Sequence, residues 1–135
     1  MTEYVADAHA IAWYLFAGQR LGKLALEVFD EAEAGNAKIF IPAVALAEVI
    51  MVIEKNRLPG ASMQQLEIDF ALIQQSANFE LLPLLPENVM ASRTLKVIPD
   101  IFDPLIVSEA LRLGLPLITR DSVIRASGVI KAVWD

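Results

Sequence analysis

Short apolar segments that favour β-strands alternate with segments of helical spacing along the whole chain. The strand candidates, such as Lys38–Ile41 and Leu115–Thr119, contain continuous apolar runs without polar alternation. Continuous apolar runs are typical of parallel strands buried on both faces, and strand–helix alternation favours a parallel sheet covered by helices. At 135 residues the length suits one domain. We therefore predict a single domain over residues 1–135 with an α/β fold.

Turn and cap residues give approximate boundaries for these segments. The predicted strands are Glu3–Ala6, Lys38–Ile41, Phe79–Leu84, Leu115–Thr119 and Val129–Trp134. The predicted helices are Ala8–Phe16, Leu24–Ala34, Pro42–Asn56, one capped by Ser62, one from Pro86 to about Leu95, one from Asp103-Pro104 to Gly114, and a short one opened by Asp121.

Four isolated carboxylates lie in or beside strongly apolar segments: Asp7, Glu48, Asp103 and Asp121. Burying one ionised carboxylate is expensive, and gathering several without a counter-charge costs more. Asp7 and Asp121 follow predicted strands, so they lie at the carboxyl edge of the sheet, where ligands of such folds bind. The pattern favours a site that holds a divalent cation.

Each acid also has a simpler explanation. Asp7, Asp103 and Asp121 each precede a predicted helix and can serve as N-caps, with Pro104 as a suitable next residue after Asp103. The helical neighbours of Glu48 are all apolar, so its alternative is a buried salt bridge. His9 reads best as a half-buried polar group near a helix start, and a general-base role for it is the weaker interpretation.

Composition narrows the chemistry. The chain has no cysteine and one histidine, which excludes disulfides, thiolate catalysis and a His-rich zinc site. Carboxylates are hard oxygen ligands that favour Mg²⁺ or Mn²⁺. The net charge of −6 argues against a nucleic-acid binder by overall field. A local rim of basic residues could still bind nucleic acid despite the net charge. Taken singly, each candidate for such a rim is an ordinary surface charge. The candidates are Arg20, Lys23, Arg93, Lys96, Arg120 and Arg125.

Hydrophobic residues make up 56% of the chain, which favours an oligomer interface or a bound partner. The apolar helix from Ala43 to Ile53 is a candidate for a homodimer interface and a partner groove, unless it is simply core. The longest apolar stretch, Ile39–Ile53, contains Pro42 and Glu48 and is too short to span a bilayer. The N-terminus does not read as a signal peptide, so we expect a cytoplasmic protein without a membrane anchor.

Three strings of the sequence resemble a known family. YVADAHAIAWYL, IPAVALAEVI and PDIFDPLIVSEALRLGLPLITRD resemble, in order and spacing, the acidic motifs of PIN domains, and more narrowly those of VapC-like toxins from toxin–antitoxin pairs. The resemblance implies a three-layer α/β/α sandwich with a parallel sheet of about five strands. It also implies a Mg²⁺- or Mn²⁺-dependent ribonuclease in which Asp7, Glu48, Asp103 and Asp121 are ligands, Thr119 assists and Asp100 is auxiliary.

The resemblance further implies an RNA substrate, a protein antitoxin that docks at the acidic pocket, and a homodimer. The chain departs from the family pattern at Pro104, where many members carry arginine, and at Ala8, where threonine is frequent. Neither departure removes a ligand. Two alternatives stay open: a catalytically inactive PIN-like module that binds RNA or acts as a scaffold, and a phospho-acceptor receiver domain. The receiver reading is disfavoured because the late strand ends in Thr119-Arg120-Asp121, without the lysine that chemistry needs.

Overall fold

The computed structural model describes all of residues 1–135, which form one five-stranded sheet with seven α-helices. The strands are β1 (Thr2–Ala6), β2 (Ala37–Pro42), β3 (Phe79–Leu82), β4 (Leu117–Ile118) and β5 (Ala132–Val133). The helices are α1 (Ala8–Phe16), α2 (Lys23–Glu33), α3 (Ala43–Glu54), α4 (Met63–Gln75), α5 (Pro86–Ser92), α6 (Phe102–Leu113) and α7 (Ser122–Ser127), with a 3-10 turn at Gly18–Arg20.

All strand pairs are parallel, and the spatial order is β3-β2-β1-β4-β5. The central strand β1 pairs Val5 with Phe40 of β2 and with Leu117 of β4. The strand order reverses between β1 and β4, because the chain first builds outward through β2 and β3 and then returns to the other side of β1. This is the switch point at which ligands of open α/β sheets bind.

Helices cover both faces of the sheet. Successive strand residues point to opposite faces, yet Val5 and Ala6 of β1 are both fully buried, as are Leu117 and Ile118 of β4. The apolar runs therefore fold as buried parallel strands, and the predicted three-layer α/β/α sandwich with about five strands is confirmed. None of the seven helices has the length and apolar character that a bilayer crossing requires.

Several element boundaries differ from the sequence prediction. Strands β4 and β5 contain two residues each, shorter than the predicted Leu115–Thr119 and Val129–Trp134. Helix α5 ends at Ser92 rather than near Leu95. Helix α6 begins at Phe102, so Asp103 lies inside its first turn. The prediction of Asp103 as an N-cap was therefore wrong, and the residue that takes this role is described with the site.

Candidate active site

The ends of β1 and β4 place two of the acids. Asp7 directly follows β1, and its backbone N–H donates to the carbonyl oxygen of Ile118 in β4 at 3.1 Å. Its side chain caps α1, with Oδ1 accepting from the N–H of Ala10 at 2.9 Å. Asp121 caps α7 in the same way, with Oδ1 accepting from Ile124 N–H at 2.9 Å. Both predicted N-cap roles are present, and the parallel strands bring the two carboxylates to one edge of the sheet.

The other acids come from two packed helices. Glu48 lies in the middle of α3, which contacts both α1 and α6. Asp103 lies in the first turn of α6, and Asp100 lies two residues before the start of that helix. One carboxylate oxygen from each of Glu48, Asp100 and Asp103 lies within 4.8 Å of the others.

All five carboxylates border a single polar cavity of about 400 Å³. Its lining contains no hydrophobic residue and consists of Asp7, His9, Glu48, Asp100, Asp103, Arg120, Asp121 and Ser122. We call it the acidic pocket. Hard oxygen donors brought together from four segments of the chain are the ligand type that Mg²⁺ and Mn²⁺ prefer.

Glu48 lacks the partner that a purely structural buried acid would have. Its Oε1 is buried without a hydrogen-bond partner. Its Oε2 lies 3.9 Å from Nδ1 of the half-exposed His9, and no lysine or arginine pairs with it. The sequence left open a buried salt bridge for Glu48, and the only candidate for it is this 3.9 Å contact with His9. An orphaned buried oxygen aimed into a carboxylate cluster fits a cation ligand.

Burial and the charges of neighbouring carboxylates raise the pKa of three of these acids, Glu48, Asp103 and Asp7. Burial, followed by the charges of the neighbouring aspartates, raises the pKa of Glu48 to about 7. The same two causes raise the pKa of Asp103 to about 7. Burial also raises the pKa of Asp7, although the hydroxyl of Thr119, the N–H of Ala10 and the charge of His9 oppose that rise. A cation would offset this repulsion and favour the ionised forms.

Thr119 and Asp100 support the acids through hydrogen bonds. The Thr119 side chain is fully buried, and its Oγ1 accepts from the backbone N–H of Asp121 at 3.0 Å. Oδ1 of Asp100 accepts from the N–H groups of Phe102 at 2.6 Å and of Asp103 at 3.3 Å. Asp100 therefore does the capping at α6 that the sequence prediction gave to Asp103, and this frees the Asp103 carboxylate to face the pocket.

A second, larger cavity adjoins the acidic pocket. It measures about 640 Å³ and shares His9, Glu48, Asp100 and Arg120 with that pocket. Of the predicted basic rim, Arg20 and Arg120 border this cavity, whereas Arg93 and Lys96 border neither. Sequence reasoning missed Lys55, Arg57 and Trp13, which also line it. Lys55 could have been found from spacing, because it follows Glu48 by seven residues and so lies two helical turns along the same face.

Comparisons with known proteins agree with this architecture. The family model described as PIN domain matches residues 4–128. No curated protein sequence matches the chain.

Three solved structures share the fold at low sequence identity. VapBC2 from Rickettsia felis, bound to a DNA fragment from its promoter, is 17% identical with a TM-score of 0.69, over 99% of this chain and 100% of that chain. VapC20 from Mycobacterium tuberculosis, described as a sarcin-ricin loop cleaving toxin, is 14% identical with a TM-score of 0.65, over 95% and 97%. FitAcB from Neisseria gonorrhoeae is 15% identical with a TM-score of 0.59, over 96% and 95%.

Proposed function

The chain belongs to the PIN domain family, and on that premise we propose that it is a divalent-metal-dependent endoribonuclease. The observation that carries the proposal is the acidic pocket, in which five carboxylates meet without an ion pair to lysine or arginine. Such a concentration of negative charge is unfavourable unless a cation is bound. A structural role alone does not account for it.

We assign the cation ligands to Asp7, Glu48, Asp103 and Asp121, with Asp100 as an auxiliary acid and Thr119 assisting. Mg²⁺ or Mn²⁺ in such a site would offset the charge of the scissile phosphate and lower the pKa of the attacking water. The N-cap hydrogen bonds of Asp7 and Asp121 fix the direction of their carboxylates before any ligand arrives. This preorganisation avoids a reorganisation cost during the reaction.

Arg120 is the cation of this chain that borders the acidic pocket. Its exposed guanidinium can contact a phosphate oxygen of the RNA and hold the backbone against the carboxylates. No serine or histidine nucleophile is required, because water attacks phosphorus. We expect products with a 3′-hydroxyl and a 5′-phosphate.

We also propose that the protein is the toxin of a toxin–antitoxin pair and forms a homodimer. Relatives in the solved structures are the VapBC2 and FitAcB proteins, and the former is bound to DNA from its own promoter.

Helix α3 buries Val44, Ala45, Val49 and Ile53 in the core, so the core explanation accounts for one face of this helix. Exposed apolar side chains cluster outside this helix, at Leu84, Leu85, Val89 and Met90. We propose that these four residues form the dimer contact, which light scattering over a concentration series would test. We also propose that the protein acts in the cytoplasm, together with its RNA substrate.

Cleavage of a total small-RNA pool by the purified protein tests the nuclease directly. The reactions contain Mn²⁺, Mg²⁺ or EDTA, and the Asp7→Asn variant runs alongside the wild type. Asparagine still caps a helix, so the variant keeps its fold while losing a charged ligand. Asp30→Asn, an exposed aspartate of α2, is the matched control.

We expect discrete metal-dependent products from the wild type and the control, and none from Asp7→Asn. Equal cleavage by Asp7→Asn would remove that residue from the site. RNA binding without cleavage under either ion would favour the inactive RNA-binding or scaffold module instead.

A further inference from the structure

The cavity beside the acidic pocket gathers unpaired cations in a protein that is acidic overall. Four lysine and arginine side chains line it: Arg20, Lys55, Arg57 and Arg120. All four are exposed, and none forms an ion pair or donates a side-chain hydrogen bond to the protein. By contrast, Lys38, Arg112 and Arg125 are paired with carboxylates. We call this cavity the cationic cleft.

Trp13 organises two of these cations. The guanidinium of Arg120 lies over the Trp13 ring at 4.7 Å from its centroid, and that of Arg20 lies over it at 5.6 Å. The ring is itself buried and packs against Trp134 with centroids 5.7 Å apart. Cation–π contact with a fixed ring limits the motion of long side chains. Two arginines from distant parts of the chain are thus held on one platform without losing their hydrogen-bond donors to a carboxylate.

The cationic cleft continues directly from the acidic pocket, because Arg120, His9, Glu48 and Asp100 border both. The two cavities therefore form a single path, with carboxylates at one end and unpaired cations at the other. If a phosphate of an RNA strand lies in the acidic pocket, the next nucleotides can enter the cleft, where the cations offset their phosphate charges. Exposed Ile101 and Met51 in the lining add apolar surface for bases.

We propose that the cationic cleft binds the single-stranded RNA segment next to the cleaved phosphodiester, with Arg20 and Arg120 on Trp13 as its anchor. This inference rests on the proposed nuclease function and deepens it by assigning the path of the substrate. Arg20, Lys55 and Arg57 contact the RNA backbone directly in this scheme. An acidic segment of a protein partner is the competing occupant, and it would not need a path shared with the carboxylates.

The test is the salt dependence of RNA binding, measured in EDTA so that metal-dependent cleavage cannot contribute. A fluorescein-labelled oligouridylate is titrated with wild type, Arg20→Met, Arg57→Met and the double variant Arg20→Met/Arg120→Met, at several salt concentrations. Methionine keeps much of the apolar stem and removes the charge. Lys96→Met, an exposed lysine outside the cleft, is the matched control.

Each phosphate contact to single-stranded nucleic acid contributes about 0.7 to the slope of log affinity against log salt. We expect each single cleft variant to reduce the slope by about 0.7, the double variant by about 1.4, and Lys96→Met to leave it unchanged. A merely structural role would lower stability without changing the slope. The inference is overturned if wild type shows no binding at low salt, or if the cleft variants keep the wild-type slope.

The outcome separates the inference from the proposed function. Slopes that fall as expected, together with no cleavage in Mn²⁺ or Mg²⁺, would uphold the cleft and overturn the nuclease. Metal-dependent cleavage with unchanged slopes would uphold the nuclease and overturn the cleft as the RNA path.

Discussion

Carboxylate oxygens of Glu48 and Asp103 lie within 4.8 Å of each other, and neither side chain has a lysine or arginine partner. One residue projects from the middle of α3 and the other from the first turn of α6. Two anions at this separation repel each other strongly in a half-buried site. Without a cation, this repulsion and burial raise the pKa of both carboxyl groups. We expect a divalent cation to bind between them when one is available.

A first prediction concerns cation binding. Mn²⁺ or Mg²⁺ should raise the melting temperature relative to EDTA, because a ligand that binds only the folded state at 100 times its Kd stabilises that state by about 2.7 kcal/mol. Glu48→Gln and Asp103→Asn should each lose most of this increase. Glu67→Gln, an exposed glutamate of α4, should keep it. Equal increases in all four proteins would place the cation outside the acidic pocket.

A second prediction concerns pH in EDTA. The pKa of Glu48 is about 7 in the folded protein against an ordinary value of 4.5, so between these values the folded state holds more protons than the unfolded chain. The free energy of unfolding must therefore fall as pH rises through this window. Glu48→Gln cannot ionise and, after allowance for solvent screening of this half-buried group, should be more stable than wild type by about 2 kcal/mol at pH 8.

That difference should shrink as the pH is lowered through this window and be lost below pH 4.5, where wild-type Glu48 is protonated in both states. Urea unfolding at several pH values measures it. A difference that stays constant with pH would mean that the substitution changes packing rather than ionisation.

The sequence was sufficient for the parts of the site that depend on strand ends. Asp7 and Asp121 follow buried apolar runs, and parallel strands must bring such positions to one edge. The role of Asp100 was less accessible. Asp103-Pro104 reads as a cap followed by proline, whereas the helix starts two residues earlier, at Phe102, where the side chain of Asp100 accepts hydrogen bonds from the first turn. Element boundaries are the part of a structure that local sequence rules determine least well.

The cationic cleft could not be predicted from sequence, because its four cations come from three separate segments. Arg20 follows α1, Lys55 and Arg57 follow α3, and Arg120 follows β4. Their convergence depends on how α1 and α3 pack, and on the buried ring of Trp13. The net charge of −6 is a sum over the whole chain. It does not show that positive side chains are concentrated in this one cleft.

A third prediction concerns Thr119, whose buried hydroxyl accepts from the N–H of Asp121 at 3.0 Å. Thr119→Val keeps the side-chain shape and leaves that N–H without its acceptor, at a cost of about 1–3 kcal/mol. Thr119→Ser keeps the hydroxyl. We expect the cleavage rate at saturating RNA to fall clearly in the valine variant and little in the serine variant. Equal rates would show that Asp121 does not need this hydrogen bond to stay in place.

A fourth prediction concerns the close approach of Gly22 to the C-terminal strand. A Cβ atom at position 22 would lie 2.2 Å from the carbonyl oxygen of Trp134 and 2.7 Å from its Cδ1 atom. The same carbonyl oxygen accepts from the N–H of Ala25 at 3.1 Å, which ties the start of α2 to Trp134. Since the obstacle is backbone, Gly22→Ala must displace one of the two segments, at about 1–3 kcal/mol.

Gly18 provides the matched control, because a Cβ atom there meets nothing within 4 Å. Gly18→Ala should be neutral or stabilise by about 0.4–1 kcal/mol through the unfolded chain. Urea unfolding of both variants measures the difference. Displacement of Trp134 would also loosen the ring of Trp13, against which it packs, so Gly22→Ala should weaken RNA binding where Gly18→Ala does not. Equal unfolding midpoints for the two variants would show that the α2 start can yield to a methyl group without strain.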